Sequence, residues 1–210
     1  MNLTKTLQEY LDELSSNSPT PGGGNVAALC GVLASSLGIM VCNLTIGKKK
    51  YADVEEEINK LKESLDEYKN KFTNLAKLDN EAFDKVMDAF KLPKETDEEK
   101  NIRLQKIENA TMEAAEVPSN VMKYCGEILP ILKSIAEKGN KNSLSDAGVA
   151  VALVRTALQG AYFNVLINCS SLQNQTIAAE IRKPVDSLFQ EVDREVNYLL
   201  SSITKSLNPL

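Results

Sequence analysis

Apolar residues recur at helical spacing along nearly the whole chain. Leu3, Leu7, Tyr10, Leu11 and Leu14 fall three and four apart and predict a first amphipathic helix, ending in the polar run Ser15 to Pro19. From Val26 to Ile46 no charged residue appears, and Ala27, Gly31, Ala34, Ser35, Gly38 and Cys42 gather near one side, which predicts a buried helix packed closely by its neighbours. A seven-residue pattern then runs through Ile58, Leu61, Leu65, Tyr68, Phe72, Leu75, Ala82, Val86 and Ala89. It predicts one helix from about Val54 to Leu92, roughly 58 Å long, which should protrude or pack on a partner subunit. Thr96 to Glu99 has the form of a capping box, and the apolar run behind it reaches Lys138, with kinks or breaks expected at Pro118 and Pro130 and Gly139 closing the segment. A second apolar helix is expected from Gly148 to Asn168, its start capped by Ser143 and Asp146, and a last one from about Thr176 to Leu207. Period-two alternation is missing. The expectation is therefore an all-α fold: a multihelical antiparallel bundle with one long helix and two buried apolar helices, forming a single domain over residues 1–210.

Composition narrows the chemistry. A net charge of -5, with Lys48-Lys49-Lys50 as the one basic cluster, excludes general nucleic-acid binding, which needs a basic face. Cys30, Cys42, Cys125 and Cys169 are widely spaced with no Cys-x-x-Cys pair, so neither zinc nor a disulfide framework is expected, and a reducing, cytoplasmic setting fits. The chain has no histidine, which removes the commonest general base and metal ligand. Catalysis would fall to carboxylates, lysine, tyrosine or cysteine, without metal. The uncharged stretch before the lysines has the length of a membrane span, but Gly31, Ser35, Ser36, Gly38, Asn43 and Thr45 dilute it, and no membrane role is expected.

Two features point to a site. Gly22, Gly23 and Gly24 stand directly before the uncharged helix, where free backbone N–H groups and small residues suit an anion or a polar ring; a flexible turn with a prolyl entry is the plainer alternative. The second is Asp79. Ile58, Leu65, Phe72 and Val86 share one face of the long helix, and the missing member of that series is Asp79, a carboxylate in an apolar slot. Such a group either pairs with a lysine, caps a facing helix end, or has its pKa raised toward the range of a general base.

Six blocks carry a resemblance: Pro-Thr-Pro-Gly-Gly-Gly-Asn-Val-Ala-Ala (19–28), Leu-Thr-Ile-Gly-Lys-Lys-Lys-Tyr (44–51), Asp-Asn-Glu-Ala-Phe (79–83), Phe-Lys-Leu-Pro-Lys (90–94), Gly-Asn-Lys-Asn-Ser-Leu-Ser-Asp (139–146) and Ala-Tyr-Phe-Asn-Val-Leu-Ile-Asn (161–168). Together they resemble the formiminotetrahydrofolate cyclodeaminase family, which includes single-domain bacterial methenyltetrahydrofolate cyclohydrolases. The resemblance implies a metal-free multihelical homodimer with no covalently bound cofactor, a tetrahydrofolate one-carbon derivative as substrate, and the proton acceptor at Asp79. It does not extend to a formiminotransferase portion.

On that resemblance the remaining blocks take supporting roles. Gly22 to Gly24 would face the pterin or its linker. Lys48, Lys49 and Lys50 would meet the glutamate tail, or simply complement the C-terminal end of the uncharged helix. Asn140, Ser145 and Asp146 would hydrogen-bond the pterin edge or assist the departing ammonia, or else cap a helix. Tyr162, Asn164 and Asn168 project from an apolar helix and need partners from protein or ligand. The sequence reading leans to the cyclodeaminase, with the cyclohydrolase and a non-catalytic helical dimerisation module, its heptad helix binding a partner, as alternatives.

Overall fold

The computed structural model describes residues 5–208, so Leu3 of the first predicted helix lies outside the described residues. Six α-helices follow one another: α1 (Leu7–Leu14), α2 (Gly23–Asn43), α3 (Glu55–Phe90), α4 (Asp97–Lys138), α5 (Leu144–Ser171) and α6 (Gln175–Leu207). Short 3₁₀ turns at Lys49–Val54 and Lys141–Ser143 precede α3 and α5. The described residues contain no strand. α2 packs between α3 and α5, α4 closes the ring against both, and α6 lies along α5 and α4. Short connections make successive long helices antiparallel.

The capping boxes form as the spacing demands. Thr6 and Glu9 cap α1, and Thr96 and Glu99 cap α4, each pair exchanging side-chain and backbone hydrogen bonds. Asn174 starts α6 by accepting from the N–H groups of Thr176 and Ile177, and the Glu108 carboxylate takes the amides of Gln173 and Asn174. The cap expected at Ser143 and Asp146 does not form: Ser143 is buried without a capping hydrogen bond, and α5 begins at Leu144 rather than Gly148. Asn140 caps the preceding 3₁₀ turn instead.

α4 is not broken at its prolines, Pro118 and Pro130. A proline leaves the carbonyl four residues earlier without its donor, and at Pro118 that carbonyl, on Ala114, accepts instead from Asn168 Nδ2 at 3.2 Å. The loss is made good from a neighbouring helix.

The register of α2 on α3 places the site. Gly24, Gly31 and Gly38 recur every seven residues on α2, and Asp79, Phe72 and Leu65 recur every seven on the antiparallel α3. A Cβ at Gly31 would stand 2.5 Å from the Phe72 ring, and one at Gly38 would stand 2.6 Å from Leu65. Each glycine is the socket for one α3 side chain, which lets the two backbones approach closely. Ile58, Leu65 and Phe72 are fully buried, whereas Val86 is half-exposed, so the heptad face leaves the core beyond Ala76. The end of α3 and the start of α4 form a projecting hairpin, as the length of α3 suggests, with Met87, Phe90, Ile102 and Leu104 exposed.

Candidate active site

Asp79 sits where the core ends. Its half-buried carboxylate lies in the socket of Gly24, against the first turn of α2. Gly22 is the N-cap of α2 and offers no side chain to the free amides of that turn. The carboxylate of Asp79 stands at the partly positive end of the helix in its place. Burial raises its pKa above the ordinary 3.8, and the backbone amide of Asn25 pulls in the opposite direction without cancelling the rise. Among the described residues no lysine or arginine forms an ion pair with it. Of the three readings the apolar slot left open, the structure thus joins two: a facing helix end and a raised pKa.

The glycines act differently from expectation. None of Gly22, Gly23 and Gly24 has a positive φ; among the described residues Gly47 alone does. Gly23 and Gly24 already belong to α2, and what demands glycine at position 24 is the close approach of Asp79. The segment before them enters through a cis Thr20–Pro21 peptide, with Ser18 donating to the Thr20 carbonyl at 2.7 Å.

Behind the carboxylate is a polar cluster that the sequence did not single out. Asn25 is fully buried; its Oδ1 accepts from Tyr10 Oη at 3.0 Å, and its Nδ2 donates to the Ala76 carbonyl at 2.5 Å and to Asn80 Oδ1 at 3.2 Å. Tyr10 is the one buried residue of α1. Its phenol pKa is raised by burial and, to a lesser degree, by Cys30 and Asp79 nearby. Asn25 and Tyr10 looked like a first-turn residue and an amphipathic stripe position; the signal was a polar side chain flanked by uncharged sequence.

The other predicted residues divide. Asn164 lies beside this end of α2, its Nδ2 bonding the Gly160 carbonyl and standing 3.6 Å from where a Gly23 Cβ would be. Tyr162 turns to α6, donating to Asp186 at 2.9 Å and stacking on Phe189. Asn140 belongs to the opposite end of α2: its N–H donates to Thr45 Oγ1 and its Nδ2 to the Leu44 carbonyl, so its polar atoms hold the α2 and α5 ends together. Lys48, Lys49 and Lys50 are exposed at that same end, with Ser145 and Asp146 on the α5 turn beside Asn140. The 21 residues of α2 separate the two groups by roughly 30 Å. Within one chain Asp79 and the lysines do not meet.

A family model described as Formiminotransferase-cyclodeaminase matches residues 6–187. The chain belongs to this family. It is 40% identical over 204 residues to a methenyltetrahydrofolate cyclohydrolase from Methylorubrum extorquens, covering 97% of this chain and 98% of that one. It is 31% identical over 201 residues to the formimidoyltransferase-cyclodeaminase of Rattus norvegicus, where it spans 96% of its own length and only 37% of the rat protein. A crystal structure of formiminotetrahydrofolate cyclodeaminase from Thermotoga maritima superposes with a TM-score of 0.80 at 34% identity, covering 96% of this chain and 98% of that one. The family is one of enzymes, and the all-helical architecture is shared with that solved relative.

Proposed function

We propose that the protein is a folate one-carbon enzyme working at the carbon between N5 and N10 of a tetrahydrofolate, with Asp79 as its base. As a cyclodeaminase, it would close 5-formiminotetrahydrofolate to 5,10-methenyltetrahydrofolate. Asp79 takes the N10 proton as N10 bonds to the carbon of the protonated formimino group (C=NH2+), then hands that proton to the resulting amine, whose bond to carbon breaks so that NH3 leaves and the methenyl cation remains. As a cyclohydrolase it would remove a proton from water adding to the methenyl carbon; the carbon–N5 bond then breaks, N5 takes the proton back from Asp79, and the hydroxyl proton passes to solvent as the carbonyl of 10-formyltetrahydrofolate forms. Both routes share a tetrahedral carbon and a cation beside the base.

What carries the reading is the half-buried carboxylate with a raised pKa at the mouth of α2, in space kept free by Gly24. A carboxylate whose pKa is raised by burial is a stronger base than a free one and accepts a proton without histidine. At 4 Å and an effective dielectric near 20 it attracts a unit cation by about 4 kcal/mol, which favours the methenyl ion over a neutral competitor. End-to-end similarity to the Methylorubrum protein supports the cyclohydrolase, and similarity to the Thermotoga protein supports the cyclodeaminase. Assaying both substrates with wild-type and Asp79→Asn protein decides the leaving group and the base together. Wild-type rates in a folded Asp79→Asn variant on both substrates would remove Asp79 from the chemistry.

We further infer a homodimer. α2 is uncharged throughout and α5 nearly so, yet Leu33 and Met40 on α2, Leu44 just beyond it, and Val149, Phe163 and Ile167 on α5 are exposed. The two helices pack side by side, so these positions leave a largely uncharged surface. Only 56% and 39% of their apolar stretches are buried by the chain itself, and a second copy supplies the missing cover. A monomeric mass by light scattering at micromolar concentration would rule this out.

A further inference from the structure

We propose that Asn25 is a positioning residue: its side-chain amide ties the turn of α3 that carries Asp79 to the first turn of α2, and the Tyr10 hydroxyl anchors the other side of that amide. The inference rests on the assignment of Asp79 as the base.

The geometry gives Asn25 little freedom. Ala76 lies three residues before Asp79 and Asn80 one residue after it, so the two acceptors of the Asn25 amide bracket the base on its own helix. A backbone carbonyl only accepts, which requires that Nδ2, not Oδ1, face Ala76. Oδ1 must then face Tyr10, whose hydroxyl donates to it at 3.0 Å. All three groups are used, and no buried side-chain polar atom among the described residues lacks a partner. The same Asn25 presents its backbone amide toward the carboxylate. One residue therefore sets both the distance between the α3 turn and the mouth of α2 and part of the field that the base experiences there.

Helix packing alone does not fix that distance. On the core side, Phe72 in the Gly31 socket locks the register, but beyond Ala76 the face of α3 emerges from the core and Val86 is half-exposed. Asp79 lies at this transition, where apolar contacts thin out and a directional link has most effect. α1 attaches at the same point: Tyr10 is its one buried side chain, while Leu7 and Leu11 are exposed. The hydroxyl of Tyr10 thus makes the docking of α1 part of the alignment of the base.

The test compares Asn25→Ala and Tyr10→Phe with wild type, each also in an Asp79→Asn background, using 5,10-methenyltetrahydrofolate and 5-formiminotetrahydrofolate as substrates. For Asn25→Ala, kcat on the processed substrate is expected to fall by about tenfold to a hundredfold, the scale of a base displaced by an ångström, with KM little changed. The acidic limb of the kcat profile is expected to move, because α3 drifting from α2 changes both the burial that raises the Asp79 pKa and the opposing pull of the Asn25 backbone amide. Tyr10→Phe, which keeps the ring and its packing, should shift the limb the same way by less, and it keeps the question open to measurement should Asn25→Ala not fold. In the Asp79→Asn background neither change should cost further activity. A kcat and an acidic limb like those of wild type in folded variants would overturn the inference. So would a lower melting temperature with an unmoved profile, the mark of a purely structural residue. Asp79→Asn protein active at wild-type rate would bring down the base assignment itself; an inactive Asp79→Asn beside wild-type profiles for Asn25→Ala and Tyr10→Phe would bring down the positioning role alone.

Discussion

Gly24 and Asp79 occupy one space: a Cβ built on Gly24 would stand 2.1 Å from Asp79 Oδ1 and 2.7 Å from its Cγ. A short aspartate side chain cannot swing clear without leaving the mouth of α2. Gly24→Ala is therefore expected to displace the base and lower kcat by about a hundredfold, the scale of a misplaced catalytic group. Gly23 is the control, since its Cβ would meet only Asn164 Nδ2 at 3.6 Å, an ordinary contact. Gly23→Ala should keep near wild-type turnover and gain up to about 0.5 kcal/mol from helix propensity. Steady-state kinetics and thermal melts on the two variants separate a socket from a flexible hinge, which would suffer equally from either change.

Replacing the base should make the protein more stable. The folded state raises the pKa of Asp79 above 3.8, chiefly through burial, so it holds the proton more tightly than the unfolded chain does. Stability is then lost as pH rises from the unfolded value through the folded one, and the loss persists at neutral pH. Asp79→Asn has no such titration and keeps an acceptor for the Asn25 amide. Its melting temperature is expected to exceed that of wild type at pH 7, with the difference shrinking as pH approaches 4. An inactive variant that melts higher at pH 7 has the signature of a group held for function; one that melts lower at pH 7 would mean that the α2 end stabilises the charge more than burial penalises it.

The Gly31 socket governs stability instead of chemistry. Its Cβ would lie 2.5 to 2.6 Å from three atoms of the Phe72 ring, which is fully buried and meets Tyr124 edge-on at 5.9 Å. The ring has nowhere to go. Gly31→Ala is expected to cost about 1–3 kcal/mol by overpacking, lowering the melting temperature by roughly 2–12 °C for a chain of this size. Adding Phe72→Leu frees the space, so the double variant should be more stable than the sum of the two single losses predicts.

The sequence showed the seven-residue rows separately. Gly31 and Gly38 were visible among the small residues of the uncharged helix, and Asp79 as the exception in the Ile58, Leu65, Phe72 series, because periodicity reports which face a residue occupies. Periodicity does not report which row meets which, and the pairing of Gly24 with Asp79 needed the antiparallel register of α2 on α3. The polar link through Asn25 was hidden for the same reason, since its partners Tyr10, Ala76 and Asn80 come from two other helices. The six blocks marked the right family, while periodicity could not show that Lys48 to Lys50 and Asn140 lie at the opposite end of α2 from Asp79 within one chain. At Pro118 and Pro130 local propensity predicted kinks or breaks, and no break forms, with Asn168 supplying the donor that Pro118 lacks.

Pro118 and Asn168 supply a cycle that tests this last point. With no N–H at Pro118, the Ala114 carbonyl depends on Asn168 Nδ2. Asn168→Ala should leave that carbonyl unsatisfied in a half-buried setting and cost about 1–3 kcal/mol. Pro118→Ala restores a helical N–H for Ala114, removes the ring from the helix interior, and makes the asparagine redundant there. In the Pro118→Ala background, Asn168→Ala should therefore cost markedly less, a coupling on the order of 1 kcal/mol or more by urea denaturation. Additive losses would mean that the asparagine stabilises α5 by some route other than mending the proline gap in α4.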